Sequence, residues 1–497
     1  MPSTEPEAPS GALRPAGRTS LVRSGAVYAT TAAAQRGVTF LLLPILTRAL
    51  SPAAYGQVSI ALAANAVAGV VFACGLDLTI LRTAVRQSQE RDRYVQSIWT
   101  FLLIAPLAAA FAVSIVAAPF LAGSDVLTSA EFALSMFAAA LYVGATTLPL
   151  AVLRADERLR DFVVVNAVTT AVTAGLMVAL VVGLHLGVTG WLIALVIGSA
   201  ATLVASMIVV PYHRPRRWDL DVVRLALRRG LPVMPHFAAM WSLQLADRLL
   251  LAALVSTAAV GVYGLAANMA LPLLVLSVGI NQALMPSYAR AEDSHARGRL
   301  RSLISAQIAI VCGLTLVCAL FAPPAVHLLM GARFAAAAPL TPWLVLGYGF
   351  LGLYAIPMNG VTLTHGKSRR IWVLSLVAAV VNLGMIYALV PEHGVTAAAV
   401  ASAVGYAVLL IGVLVYAGYT GATLPYPWRS ILAIVTVCAV AYAGGVLSSS
   451  DTTLGDVLVR TAWITLAFGA LFGRHALNLT GGVGSLLRTG KLRYRDL

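Results

Sequence analysis

An arginine set in the middle of an apolar run is the residue here that most needs a reason. Arg36 lies between Gln35 and Gly37, halfway along a run from about 24 to 48. A central arginine costs about 2.5–3.5 kcal/mol on insertion scales, so it persists only where a cavity or a partner receives it. Its planar guanidinium fits an anionic oxygen pair bidentately. Thr31, Gln35 and Thr39 recur at four-residue intervals and form one polar stripe of a helix, with Arg36 beside it. Two readings stay open: a cavity cation for an anionic ligand, or an arginine that holds helices together through an ion pair or carbonyls.

Asp247 and Arg248 are a second charged pair inside an apolar run, and Gln244 stands four residues before Arg248. Neighbours at i and i+1 do not face each other on a helix, so each is expected to find its own partner. The pair lines a cavity, with Arg248 on an anionic ligand and Asp247 titrating or gating, or it clasps two halves of the molecule. Asp77, with Arg82 five residues on, is a proton carrier if held in low dielectric, or else a capping ion pair. Asn65, Asn268, Asn281, Gln282, Asn359 and Asn382 either hydrogen-bond a polyhydroxylated ligand or bridge helices.

His185, His236 and His365 sit near helix ends and read as interfacial. Cys74, Cys312, Cys318 and Cys438 lie in apolar runs without metal-ligand spacing, so they read as thiols with no disulfide and no metal. No GxxxxGK[ST] loop or HExxH occurs, so neither nucleotide hydrolysis nor a cofactor is expected.

The elements that position these residues follow from composition. Of 497 residues 60% are hydrophobic and 11% charged, and the mean hydropathy is +0.87. A soluble domain is about 25% charged, so the expected class is an all-α polytopic membrane protein. About fourteen runs approach the roughly 20 residues that span a bilayer: 24–48, 55–80, 96–121, 129–153, 162–185, 188–211, 231–254, 259–286, 302–325, 338–364, 371–391, 394–418, 430–448 and 454–474. Alternate loops are basic and hold 29 of the 34 Lys and Arg residues. The positive-inside rule then places both termini in the cytoplasm. This reading also explains the net charge of +15 without nucleic acid. Most cations become topology signals, and Arg36 and Arg248 become the informative remainder. The connections at the other end are short, which leaves no room for a large catalytic domain there.

The longest basic loop contains a stretch from Trp218 to Arg229 with acids first and arginines last, which suits a helix dipole and an anionic membrane surface. It divides the chain into two six-helix halves. These share a weak repeat: Ser51-Pro52-Ala53-Ala54-Tyr55-Gly56 in one and Ser256-Thr257-Ala258-Ala259-Val260-Gly261-Val262-Tyr263-Gly264 in the other. Repeats of one orientation, six helices apart, describe a parallel-repeat transporter. Pro44, Pro106, Pro149, Pro235, Pro272 and Pro357 interrupt spans and are candidate bends.

The run from Leu43 to Gly56, with Gly230-Leu231-Pro232, Asp247-Arg248 and Gly261-Val262-Tyr263-Gly264, resembles the bacterial polysaccharide-biosynthesis flippases of the multidrug/oligosaccharidyl-lipid/polysaccharide exporter superfamily. The resemblance implies two six-helix lobes around a central cavity plus two C-terminal helices. It implies a polyprenyl-pyrophosphate-linked glycan as substrate, moved between leaflets by alternating access. Membrane lipids are then partners, and a polysaccharide polymerase and glycosyltransferases are pathway neighbours. Arg36 and Arg248 would meet the pyrophosphate, Gln35, Gln244, Asn65 and Asn268 would line the cavity, and Asp77 and Asp247 would couple or gate.

The expected organisation is a cytoplasmic tail 1–20, an N-terminal lobe 21–211, an amphipathic linker 212–230, a C-terminal lobe 231–418, two further helices within 419–475 and a cytoplasmic tail 476–497. A lipid-linked peptidoglycan-precursor flippase and a cation-coupled multidrug exporter of the same two-lobe plan are the alternatives. A membrane glycosyltransferase or polymerase would need acidic or histidine-bearing outer loops of some size, and none occurs.

Overall fold

In a computed structural model the chain is helical throughout the described residues, which are 18–76, 80, 91–124, 126–210, 215, 218–289, 294–366, 371–448 and 455–471. Among the described residues ten helices are long and apolar enough to cross a membrane. One of these, Ile371–Thr420, is two spans meeting at Gly394, whose φ of 66° breaks the helix; only glycine adopts that conformation freely. Three more segments complete fourteen spans: Arg18–Ala49, the broken helix over 231–254 and the helix over 455–471. Counted in chain order, spans one to six form one lobe and seven to twelve the other, with the last two packed on the ninth.

Local chemistry sets the ends of the spans. Ser51 caps the second span (Pro52–Ala73) through its Oγ, and Pro52 occupies the first turn, where a missing N–H costs nothing. The fourth span (Ser129–Ala155) opens on a capping box in which Thr128 and Glu131 bond each other's backbone N–H. The linker helix Leu220–Gly230 is capped by Asp219, whose Oδ1 accepts from the N–H groups of Asp221 and Val222. Arg93 of the third span (Arg91–Leu121) donates to Asp219 Oδ2 at 2.6 Å. That hydrogen bond holds the Asp219 carboxyl below its ordinary range, with the two backbone donors adding to the effect.

The lobes touch at both ends of the bundle. At one end the second span crosses the eighth (Thr257–Ala289) backbone to backbone. A Cβ on Gly56 would lie 1.7 Å from Thr257 O, and one on Gly261 would lie 1.9 Å from Pro52 O. The repeated Tyr-Gly motif is therefore a helix-crossing motif. At the other end, which carries the basic loops, Gly75 ends the second span with φ +66°, and its missing Cβ would meet Gly230 O at 2.4 Å.

The ninth span runs Ser294–Leu329 through Pro323 and Pro324, further than its apolar run suggests. The following connection is an ordered 3₁₀ segment, Ala332–Leu340, with Phe334 fully buried edge-on to Tyr55. The four cysteines are free and partly buried.

Candidate functional site

The first span carries Arg36 near its midpoint, exposed and with no hydrogen bond or ion pair to another described residue. Its polar neighbours are spent locally. Thr31 Oγ1 donates to Val27 O at 2.7 Å and Thr39 Oγ1 to Gln35 O at 3.2 Å, the i→i−4 bonding that satisfies hydroxyls within a helix. Gln35 Nε2 donates to Asn166 O of the fifth span at 3.4 Å. The stripe thus anchors the first span, while the charge of Arg36 acts on Tyr142 of the fourth span.

Tyr142 opens onto a cavity of about 410 Å³ between the second and fourth spans. The second span offers small residues there, Ala66, Gly69 and Ala73, and the fourth offers Tyr142, Thr146, Thr147 and, at the basic end, Arg154. Tyr142 and Arg154 are candidates that spacing alone does not identify. The tyrosine sits in an ordinary apolar run, and the arginine counts among the topology cations.

The seventh span solves a different problem. It starts as a 3₁₀ turn, Leu231–Val233, and becomes the helix Met234–Trp241. It then widens into a π turn over Ser242–Ala246 and ends as the helix Asp247–Leu254. A π turn shifts the backbone hydrogen-bond pattern and is frequent at functional positions. Here Arg248 Nη1 donates to Gln244 O at 3.0 Å. Asp247 and Arg248 are 4% and 7% exposed, so both charges have left solvent.

Tyr263 of the eighth span donates its hydroxyl to Asp247 Oδ2, and the backbone N–H of Arg248 donates to Oδ1 at 2.8 Å. Because Tyr263 has given its one proton to the carboxylate, the 2.8 Å contact to Ser402 has serine as donor. Asn382 Nδ2 donates in turn to Ser402 Oγ at 3.4 Å. Every donor in this chain points toward the Asp247 carboxylate.

The expectation that Asp247 and Arg248 stay apart needs correction. Each has its own partner, but Arg248 Nη1 also lies 3.7 Å from Asp247 Oδ1. Both side chains are buried, and the guanidinium folds back along its own helix to the Gln244 carbonyl. Arg248 is also within electrostatic reach of Tyr55, Tyr263 and Tyr348.

Several amides bridge spans. Asn65 Nδ2 donates to Ser135 O of the fourth span at 2.9 Å. Asn268 Nδ2 donates to Tyr55 Oη at 2.7 Å, a bond between the lobes. Asn281 Oδ1 accepts from Asn359 at 2.7 Å and from Gln307 at 3.3 Å, and Tyr288 donates to Gln307 Oε1 at 2.7 Å. These bonds join the eighth, ninth and tenth spans, and Gln307 is fully buried. Asp77 lies outside the described residues. Among the described residues no group of three His, Cys, Asp or Glu side chains is placed to hold a metal ion.

A family profile described as "Polysaccharide biosynthesis protein" matches residues 45–339. No curated protein sequence matches the chain at a significant level. The fold is similar to that of "Lipid II flippase MurJ, inward closed conformation", with a TM-score of 0.71 at 11% identity, over 90% of this chain and 99% of that one. It is also similar to an inward-facing multidrug resistance MATE family transporter of the MOP superfamily, with TM-score 0.60, 15% identity and coverage of 81% and 99%. For the MATE multidrug transporter DinF-BH the values are 0.55, 18%, 83% and 98%. At these identities the likeness concerns the fold alone.

Proposed function

The chain belongs to the polysaccharide biosynthesis protein family, and on that footing we propose that it flips a polyprenyl-diphosphate-linked oligosaccharide across the cytoplasmic membrane for surface polysaccharide assembly. The observation that carries the reading is Arg36, an exposed cation at mid-span with no described partner, whose charge reaches Tyr142 in the wall of a partly polar cavity. A cation placed there repays its insertion cost when an anion occupies the cavity, and a diphosphate offers paired oxygens to the guanidinium fork. Gln35, Asn65 and Asn268 spend an amide N–H on another span, so with Gln244 they serve as secondary contacts to sugar hydroxyls through their side-chain carbonyl oxygens.

In this reading the basic end is cytoplasmic and holds both termini. The lobes rock about the site, so that the Gly75–Gly230 contact parts to load the substrate and the Gly56–Gly261 contact parts to release it. Asp247 and Arg248 act near the release end as a clasp between states. Asp77 and Asp247 are the coupling candidates, and a polymerase and glycosyltransferases act on the same lipid-linked glycan.

The deciding experiment is reconstitution in vesicles with a defined polyprenyl-diphosphate oligosaccharide, and in parallel with a lipid-linked peptidoglycan precursor. Flipping of the first by wild type, lowered about 10- to 100-fold by Arg36→Ala in protein that still inserts, is the expected result. Flipping of the second alone moves the assignment to the peptidoglycan precursor. Full activity of Arg36→Ala removes the arginine from the site. Collapsing the proton gradient slows transport if Asp77 or Asp247 carries a proton, and an unchanged rate removes that role.

A further inference from the structure

Arg154 stands at the basic end of the fourth span and lines the same cavity that Tyr142 opens onto deeper in the bundle. Twelve residues separate them, about 18 Å along a helix at 1.5 Å per residue. Its setting differs from that of the arginines around it. Arg91 pairs with Asp156 at 2.5 Å and Arg158 with Asp161 at 2.7 Å, and the exposed Glu157, within electrostatic reach of the same Tyr28 as Arg154, forms no ion pair with it. Arg154 forms no ion pair with a described residue.

It is nevertheless held in place. Its Nε donates to Leu150 O at 3.2 Å, and its Cζ lies 5.8 Å from the centroid of the Phe162 ring. Tyr28 of the first span packs edge-on to that ring at 4.8 Å. A guanidinium has five donors. Anchoring through Nε and the ring face leaves the two Nη groups, the bidentate edge, without a described partner. A cation fixed in orientation, unpaired and facing a cavity is preorganised for an anion.

We infer that this cavity is a docking station in which Arg154 takes the diphosphate of the lipid-linked substrate first, and from which it passes to Arg36. This rests on the proposed function and adds a second, earlier site to it. The opposite wall suits the occupant: a Cβ on Gly69 would meet nothing within 4 Å, so space there is open to a sugar or an isoprenoid unit.

The test uses the full chain in lipid nanodiscs and in vesicles, with a polyprenyl diphosphate bearing one hexose as probe. Arg154→Ala is expected to raise the half-saturating probe density about tenfold, the effect of losing one charge-assisted hydrogen bond, while the maximal flipping rate stays within about twofold. Arg154→Lys should recover part of the loss. Inorganic diphosphate should compete with the probe on wild type and compete about tenfold less well on Arg154→Ala. Gly69→Leu, which narrows the cavity without touching the cation, should also raise half-saturation. An unchanged half-saturation in Arg154→Ala, or a fall in maximal rate alone, overturns the docking station and leaves the flippase reading standing. A wild type that neither binds nor flips the probe overturns both.

Discussion

Arg36 and Arg248 are the same residue type set in similar apolar spans, yet the molecule treats them oppositely. Arg36 is exposed and without a described partner, on the lobe that carries the partly polar cavity. Arg248 is 7% exposed, bonded to Gln244 O and close to a carboxylate that accepts from Tyr263. The first arrangement keeps a charge available, and the second consumes one. A buried pair of this kind contributes little net stability, but removing one partner strands the other in low dielectric. The N-terminal lobe therefore holds the candidate ligand cations, and the C-terminal lobe holds a satisfied network near the contact that the lobes make with each other.

Breaking this contrast begins with the largest effect. Arg248→Ala is expected to cost about 3–5 kcal/mol of stability by leaving Asp247 without its cation, read as a lower unfolding midpoint of the purified protein. If it unfolds no earlier than Arg36→Ala, the two arginines are not in different environments.

Arg36→Ala should lower transport about 10- to 100-fold, equivalent to the roughly 1.5–3 kcal/mol of a hydrogen bond to a charged group, with stability within about 0.5 kcal/mol of wild type. Reconstituted flipping and thermal unfolding on one preparation measure both quantities.

Tyrosine variants sharpen the comparison at a smaller scale. Tyr263→Phe removes the donor to Asp247 and should destabilise by about 1–3 kcal/mol. Tyr142→Phe, at the cavity, should leave the unfolding midpoint in place and change transport only severalfold.

The smallest effect concerns the linker helix. Since the folded Asp219 carboxyl titrates below its ordinary value, its ion pair with Arg93 stabilises the linker above the usual carboxylate pKa of about 3.9 and is lost as pH falls through the folded value. Asp219→Asn retains the cap and should abolish this acid sensitivity, seen as exchange protection over Leu220–Gly230 that, once corrected for the intrinsic exchange rate, no longer falls with acid.

Much of the scaffold is readable from residues alone, because a span declares itself by length and apolarity and the linker helix by its caps and end charges. The seventh span is visible as an apolar run, but its 3₁₀ and π segments are not, since helix widening follows from tertiary packing and has no periodicity of its own. The Tyr-Gly repeat is visible as a repeat, and its purpose appears only with Gly56 and Gly261 at backbone contact. Arg154 falls among the topology cations because sequence counts charges and does not show which carboxylates Arg91 and Arg158 have already occupied.

By itself the sequence determined the class, the number of spans, the expected orientation and the short list of intramembrane charges. These depend on transfer free energies that add along the chain, so composition and order suffice. Which of those charges is satisfied and which is available was decided only by the tertiary structure. Partnering depends on side chains from distant spans: Tyr263 reaches Asp247 from 16 residues away and Ser402 reaches Tyr263 from 139, and no local pattern along one helix records that they will meet.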